Sequence, residues 1–138
     1  MSKILIVDDD KLIVSALSIR LRAEGHEVVT AYDGASAVNE AKNQGPALII
    51  MDINLPFSNG MRAARQIREA TGMSKTPVIF LTASKVPALR EQAQALGASG
   101  FLEKPYDANE LVTLVRSALA APIQPSPTGS TEPAKEKR

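Results

Sequence analysis

A short apolar run followed by a helical pattern recurs five times between residues 1 and 121. Ile4 to Val7, Val28 to Ala31, Ala47 to Met51, Val78 to Leu81 and Phe101 to Leu102 are near-continuous apolar stretches. Such runs mark strands covered on both faces. The segments between them carry helical spacing and end signals. Lys11 to Glu24 places Ile13, Ala16, Leu17 and Leu21 on one face and stops at Gly25; Ala35 to Asn43 follows Asp33-Gly34 and stops at Gly45. Met61 to Ala70 ends before Gly72, and a fourth helix has Ser84 and Pro87 at its start and Gly97 just past its end. A fifth begins after Asp107 and repeats Leu111, Val112, Leu114, Val115 and Leu119. Strands alternating with helices predict a parallel sheet with right-handed crossovers and helices on both faces, a doubly wound α/β domain.

The pattern breaks at Pro122. The last seventeen residues hold four of the nine prolines, with only Ile123 and Ala134 as aliphatic side chains. Such a segment cannot bury enough surface to offset its ordering entropy, so 122–138 is expected to be a disordered tail or linker and 1–121 the domain. At 138 residues and 14.7 kDa a second full domain does not fit. Sixteen Lys+Arg against fifteen Asp+Glu leave a net charge of +1, which points to no nucleic-acid partner. There is no cysteine, which excludes a disulfide framework, a thiolate zinc site and a cysteine nucleophile. Ile4 to Val7 is too short for a signal-peptide core or a membrane span, so a cytoplasmic location without membrane insertion is expected.

In a doubly wound fold ligands bind at the carboxyl ends of the strands, so the polar residues that terminate the apolar runs are the candidates. The first run ends in Asp8-Asp9-Asp10, the third in Asp52, the fourth in Thr82 and the fifth in Glu103-Lys104-Pro105. If the first and third strands are neighbours, Asp8, Asp9 and Asp52 converge. Three carboxylates so close stay ionised only if a cation or a lysine compensates. An all-oxygen donor set selects a hard divalent ion such as Mg²⁺. Lys104 adds a fixed positive charge, and Thr82 a hydroxyl able to hydrogen-bond an anion. This combination suits phosphoryl transfer with an aspartate as acceptor. Asp10 reads as a cap for the first helix, His26 as an exposed structural residue, and Arg62, Arg65 and Arg68 as a solvated face.

ILIVDDD at the amino end, LIIMDINLPFSNG around Asp52, PVIFLTAS around Thr82 and GFLEKPY around Lys104 together resemble the receiver (CheY-like) domain of bacterial two-component response regulators. The resemblance covers residues 3 to 120, and four motifs in this order are specific. It implies a (βα)5 flavodoxin-like three-layer sandwich whose parallel five-stranded sheet runs in the order 2-1-3-4-5. It also implies that Asp52 is the phospho-acceptor, that Mg²⁺ is bound by Asp9, Asp52 and the Asn54 carbonyl with Asp8 assisting through water, and that Lys104 contacts the phosphoryl group. Thr82 and Phe101 would be the switch pair, and Ala83 the small residue that admits the phosphoryl group. The implied donor is a sensor histidine kinase or histidine phosphotransfer protein docking around Lys11, Leu12, Ser15 and Pro105. The implied output is a change in the surface of the fourth helix, fifth strand and fifth helix, read by a downstream protein or a second copy. Three departures stand out. Asn59 replaces the common Asp, Phe101 replaces the commoner Tyr, and Asn54 and Ser84 hold positions that influence phosphoryl lifetime in the family.

The expected function is that of a single-domain, phosphorylation-activated switch that catalyses only its own phosphorylation and dephosphorylation. The alternative is a receiver fragment of a longer regulator. A haloacid-dehalogenase-like phosphohydrolase would need an acid where Asn54 stands, and acids after Lys104 that are missing. An FMN-binding module would need a Ser/Thr/Gly-rich phosphate loop where Asp8-Asp9-Asp10 stand, which would repel the phosphate.

Overall fold

The structure, a computed structural model, describes residues 2–56, 58–72 and 76–120. Five strands form one parallel sheet: β1 (Lys3–Val7), β2 (Glu27–Ala31), β3 (Leu48–Asp52), β4 (Val78–Thr82) and β5 (Gly100–Glu103), in the spatial order β2-β1-β3-β4-β5. The helices are α1 (Lys11–Ala23), α2 (Gly34–Gln44), α3 (Gly60–Thr71), α4 (Pro87–Ala95) and α5 (Ala108–Ala120). A two-residue antiparallel ribbon, Asn54–Leu55 against Ser58–Asn59, connects β3 to α3. The doubly wound architecture and the strand order implied by the family resemblance are both present. The expectation of a disordered 122–138 tail lies outside the described residues.

Side chains alternate across the sheet, and this alternation divides the core in two. Ile4, Ile6, Leu48, Ile50, Ile79 and Leu81 face α1 and α5, where Val14, Leu17, Leu21, Leu111 and Val115 meet them. Leu5, Val7, Ile49, Met51, Val78 and Phe80 face the opposite layer, against Ala37, Ala41, Ala63, Ala64, Ile67 and Ala93 of α2, α3 and α4. Ile4 to Val7 of β1 and the whole of β3 and β4 are therefore buried, which explains why they read as unbroken apolar runs. β2 departs from that pattern. As an edge strand it buries only Ala31 fully, while Glu27 is exposed and Val28 to Thr30 are half-buried.

Caps follow the polar punctuation of the sequence. Asp10 accepts from the backbone N–H groups of Leu12 and Ile13, Asp33 from that of Ser36, and Asn59 from that of Met61. The fourth helix is different: Val86 occupies its cap position without a side-chain bond, Pro87 begins it, and the Ser84 hydroxyl serves the preceding turn by accepting from the Val86 N–H. Two residues read as exposed are not. His26 is half-buried, and its Nδ1 is shielded with no partner among the described residues. Arg62 and Arg65 are exposed, but Arg68 is half-buried and donates to the carbonyls of Leu96 and Thr76, tying α3 to the end of α4 and to the start of the next strand. The sequence pattern shows an arginine at helical spacing; it does not show that two carbonyls from other elements lie within reach of its long side chain.

Candidate functional site

Register delivers the polar strand ends to one place. Val7 pairs with Met51, Asp52 with Leu81, and Thr82 with Glu103. Asp8, Asp52, Thr82 and Lys104, each at or one residue beyond a strand end, therefore stand along one carboxyl edge. The expected neighbour relation of β1 and β3 holds. Asp8, Asp9 and Asp52 each place a carboxylate oxygen within 4.8 Å of the others.

The cluster is asymmetric in burial. Asp8 and Asp52 are 0% and 2% exposed, whereas Asp9 faces solvent. The Lys104 ammonium bridges the two buried carboxylates, 2.8 Å from Asp8 Oδ2 and 3.2 Å from Asp52 Oδ2. Their other oxygens accept backbone N–H groups, Asp8 Oδ1 from Asp10 at 2.9 Å and Asp52 Oδ1 from Asn54 at 3.0 Å. One ammonium cannot neutralise three carboxylates. Burial pushes the Asp52 carboxyl above its ordinary value; the Asn54 N–H opposes this, the Asp8 charge adds to it, and Lys104 offsets part. Burial also works against the Lys104 charge, but its bonds to Asp8 and Asp52 outweigh that and hold the amine above the usual lysine value. The residual negative charge, the open side at Asp9 and a cluster made only of carboxylates fit a hard divalent cation.

Thr82 is fully buried at the end of β4. Its hydroxyl donates to Asn54 Oδ1 at 2.8 Å and accepts from the Ser84 N–H at 3.0 Å. Ala83 is exposed beside it, with no side chain beyond Cβ to fill the mouth. Phe80, Thr82 and Phe101 lie on the α4 side of the sheet, since Phe80 pairs with Phe101 and Thr82 sits two residues on. Phe101 is half-buried, with the Arg90 guanidinium 4.7 Å from its ring centre. Asp8, Asp9, Asp52, Asn54, Thr82, Ala83 and Lys104 thus stand at the same end of the sheet, with Phe101 farther back along β5, but the Asn54 side chain as partner of Thr82 was not foreseen.

A second unforeseen contributor is Gly60, the first residue of α3. A Cβ there would lie 2.1 Å from the Asp52 carbonyl oxygen and 2.8 Å from the Ile53 Cα. The Gly60 N–H also donates to the Ile53 carbonyl at 2.8 Å. Only glycine lets the start of α3 rest on the backbone that carries Asp52. Gly60→Ala is expected to lower stability by about 1–3 kcal/mol, because backbone must move to admit the methyl group; urea unfolding of the variant checks this. The close approach is a tertiary fact, which the sequence around Gly60 does not show.

The residues expected to receive a partner are accessible. Lys11, Leu12 and Ser15 are exposed on α1, with Leu12 at 83%, and Pro105 is exposed across from them. A hollow of about 450 Å³ lined by Ile13, Ala16, Lys104, Pro105 and Tyr106 separates the two sides. Burial raises the Tyr106 hydroxyl pKa, while the charges of Lys104 and Asp8 act on it in opposite directions.

A sheet of this order with carboxylates, a lysine and a threonine at its carboxyl edge is the arrangement of receiver domains, and comparison with known proteins agrees. Residues 4–116 match the family model of the response regulator receiver domain, and the chain belongs to that family of two-component signalling proteins. Among solved structures it is similar to the chemotaxis protein CheY4 of Vibrio cholerae, at 33% identity over 86% of this chain and 99% of that one, with a TM-score of 0.80. A putative response regulator from Chloroflexus aurantiacus is similar at 31% identity, 87% and 98% coverage and a TM-score of 0.80. The N-terminal domain of a three-domain response regulator/sensory box/GGDEF protein from Carboxydothermus hydrogenoformans is similar at 34% identity, 86% and 94% coverage and a TM-score of 0.75.

Proposed function

We propose that this chain is a phosphorylation-activated response regulator in which Asp52 accepts a phosphoryl group from the phosphohistidine of a sensor kinase or phosphotransfer protein. The observation that carries this reading is the Lys104 ammonium bridging two buried carboxylates, with a third carboxylate on the open side. A carboxylate oxygen of Asp52 forms the new bond to phosphorus as the bond to the histidine nitrogen breaks. Lys104 is close enough to follow the incoming charge by exchanging a carboxylate oxygen for a phosphoryl oxygen. The Asn54 N–H orients the Asp52 carboxylate. Asp8, Asp9, Asp52 and the Asn54 carbonyl would hold Mg²⁺, which supplies charge neutralisation when bound. Ala83 leaves room at the mouth, and Thr82 and Phe101 carry the change toward the α4-β5-α5 surface.

In this reading residues 1–121 form the switch and 122–138 a tail or linker, the docking partner meets α1 and the loop after β5, and a downstream protein or a second copy reads the switched face. No direct contact with nucleic acid is needed. Asn54 in place of an acid argues against multiple turnover on phosphate esters. Among the described residues no helix is long and apolar enough to cross a membrane, which is compatible with work in the cytoplasm.

Intact-mass measurement after mixing with acetyl phosphate tests the proposal. A single phosphoryl adduct is expected, dependent on Mg²⁺ and absent in Asp52→Asn. No adduct in samples quenched soon after mixing would overturn it in favour of a domain that signals by binding alone.

A further inference from the structure

We infer that Asn54 is a latch on the switch, because its side-chain carbonyl and a phosphoryl group on Asp52 would compete for the single proton of the Thr82 hydroxyl. The inference rests on the reading of Asp52 as phospho-acceptor and names a positioning residue within it.

The hydrogen-bond count carries the argument. A threonine hydroxyl has one proton to donate and two lone pairs. Thr82 is fully buried, so that proton needs a partner inside the protein. The Ser84 N–H already points at Thr82 Oγ1, 3.0 Å away, which makes the hydroxyl an acceptor on that side. Its proton goes to Asn54 Oδ1 at 2.8 Å. Turning the amide over would aim an N–H₂ at the same oxygen and leave the hydroxyl proton buried without a partner, at a cost larger than the bond itself. The orientation is therefore settled by the Ser84 N–H.

Asn54 is well placed for competition. Its backbone N–H is bonded to Asp52 Oδ1, and it pairs with Asn59 in the ribbon that leads into α3, so its position is tied to the acceptor. Its side chain reaches across to the end of β4, linking the two strand ends that must respond to each other. For Thr82 to donate to a phosphoryl oxygen it has to release Asn54. Because Asn54 is exposed, the released amide passes to water at little cost. The latch is consequently weak, worth one neutral hydrogen bond. It biases the equilibrium between the two hydroxyl orientations without locking it.

The test is a double-mutant cycle on the affinity for beryllofluoride with Mg²⁺, measured calorimetrically on the full chain for wild type, Asn54→Ala, Thr82→Val and the double variant, and repeated with Thr82→Ala in case the valine background folds poorly. Asn54→Ala is expected to tighten binding about two- to tenfold where Thr82 is present and to leave it unchanged where the hydroxyl is gone. Unchanged or weaker binding in the Thr82 background overturns the latch. An equal gain in both backgrounds also overturns it, since the effect would then run through access or the cation. If wild type binds beryllofluoride but shows no coupling, the latch alone falls; if wild type binds none, the receiver chemistry falls and the latch with it.

Discussion

Lys104→Met is expected to destabilise the protein by about 3–5 kcal/mol at neutral pH, the typical cost of removing one partner from a buried ion pair. Here one ammonium serves two carboxylates that are almost wholly inaccessible. Without it, Asp8 and Asp52 face each other with only backbone N–H groups to compensate, and at least one must take up a proton. Methionine keeps most of the length and apolar stem of lysine, so the loss would be electrostatic. Urea unfolding in the presence of a chelator measures it. Lowering the pH toward the carboxylate range should narrow the gap between variant and wild type, because protonation removes the repulsion that the lysine normally offsets. A loss below about 1 kcal/mol that does not vary with pH would show that the bridge is weak and that the site is held by its backbone bonds.

Asp52→Asn is expected to act in the opposite direction on stability, adding about 1–2 kcal/mol to the metal-free protein at neutral pH. The Asp52 carboxyl is held above its ordinary value first by burial and then by Asp8, so its ionised form is disfavoured in the folded state. The unfolded chain releases this proton near pH 4, while the folded protein retains it to higher pH. Over that interval the folded state binds more protons, so metal-free wild type loses stability as pH rises through the folded value, and the loss is constant above it. The asparagine variant lacks that contribution, and the Asp8 pairing with Lys104 remains. Mg²⁺ should reverse the ranking. At a hundred times its dissociation constant it would stabilise wild type by about 2.7 kcal/mol and the variant by much less, since one ligand is gone. Thermal unfolding of both proteins across pH 4 to 8, with chelator and with Mg²⁺, checks the sign and the crossing. Equal Mg²⁺ effects on the two proteins would remove Asp52 from the cation site. The stabilising direction also explains why a switch domain keeps a strained acidic pocket: neutralisation by a cation and then by a phosphoryl group can release that strain in the direction of signalling.

The legibility of this protein varies from residue to residue. Asp10, Asp33 and Asn59 stand immediately before apolar-periodic segments, and each caps the helix that follows. Capping is a local interaction over two or three residues, so local sequence suffices to find it. Asp8, Asp52, Thr82 and Lys104 were legible because each ends an apolar run, and a parallel sheet brings such ends together. Arg68 and His26 were misread, since helix position and turn composition say nothing about neighbouring elements. Arg68 is drawn inward by the carbonyls of Leu96 and Thr76, and His26 is shielded where a solvated turn was expected. Asn54 was singled out for its carbonyl and its place in the family pattern, but not for its bond to Thr82, because its amide meets a residue 28 positions away.

The convergence of the acidic strand ends with a lysine rests on the strand order that the family resemblance implies, whereas the alternation of strands and helices, the coverage of the strands on both faces and the polar residues at their ends are legible in the chain alone. These follow from periodicity and from the rule that buried strands must be apolar while charged residues stop them. Packing between elements settles the rest: Lys104 spans both buried carboxylates, Gly60 must lack a side chain against the Asp52 carbonyl, and the Thr82 proton is given to Asn54. The reason is physical. Each depends on atoms from separate elements meeting within about 3 Å, and such distances are set by sheet register and helix placement, which no single segment encodes.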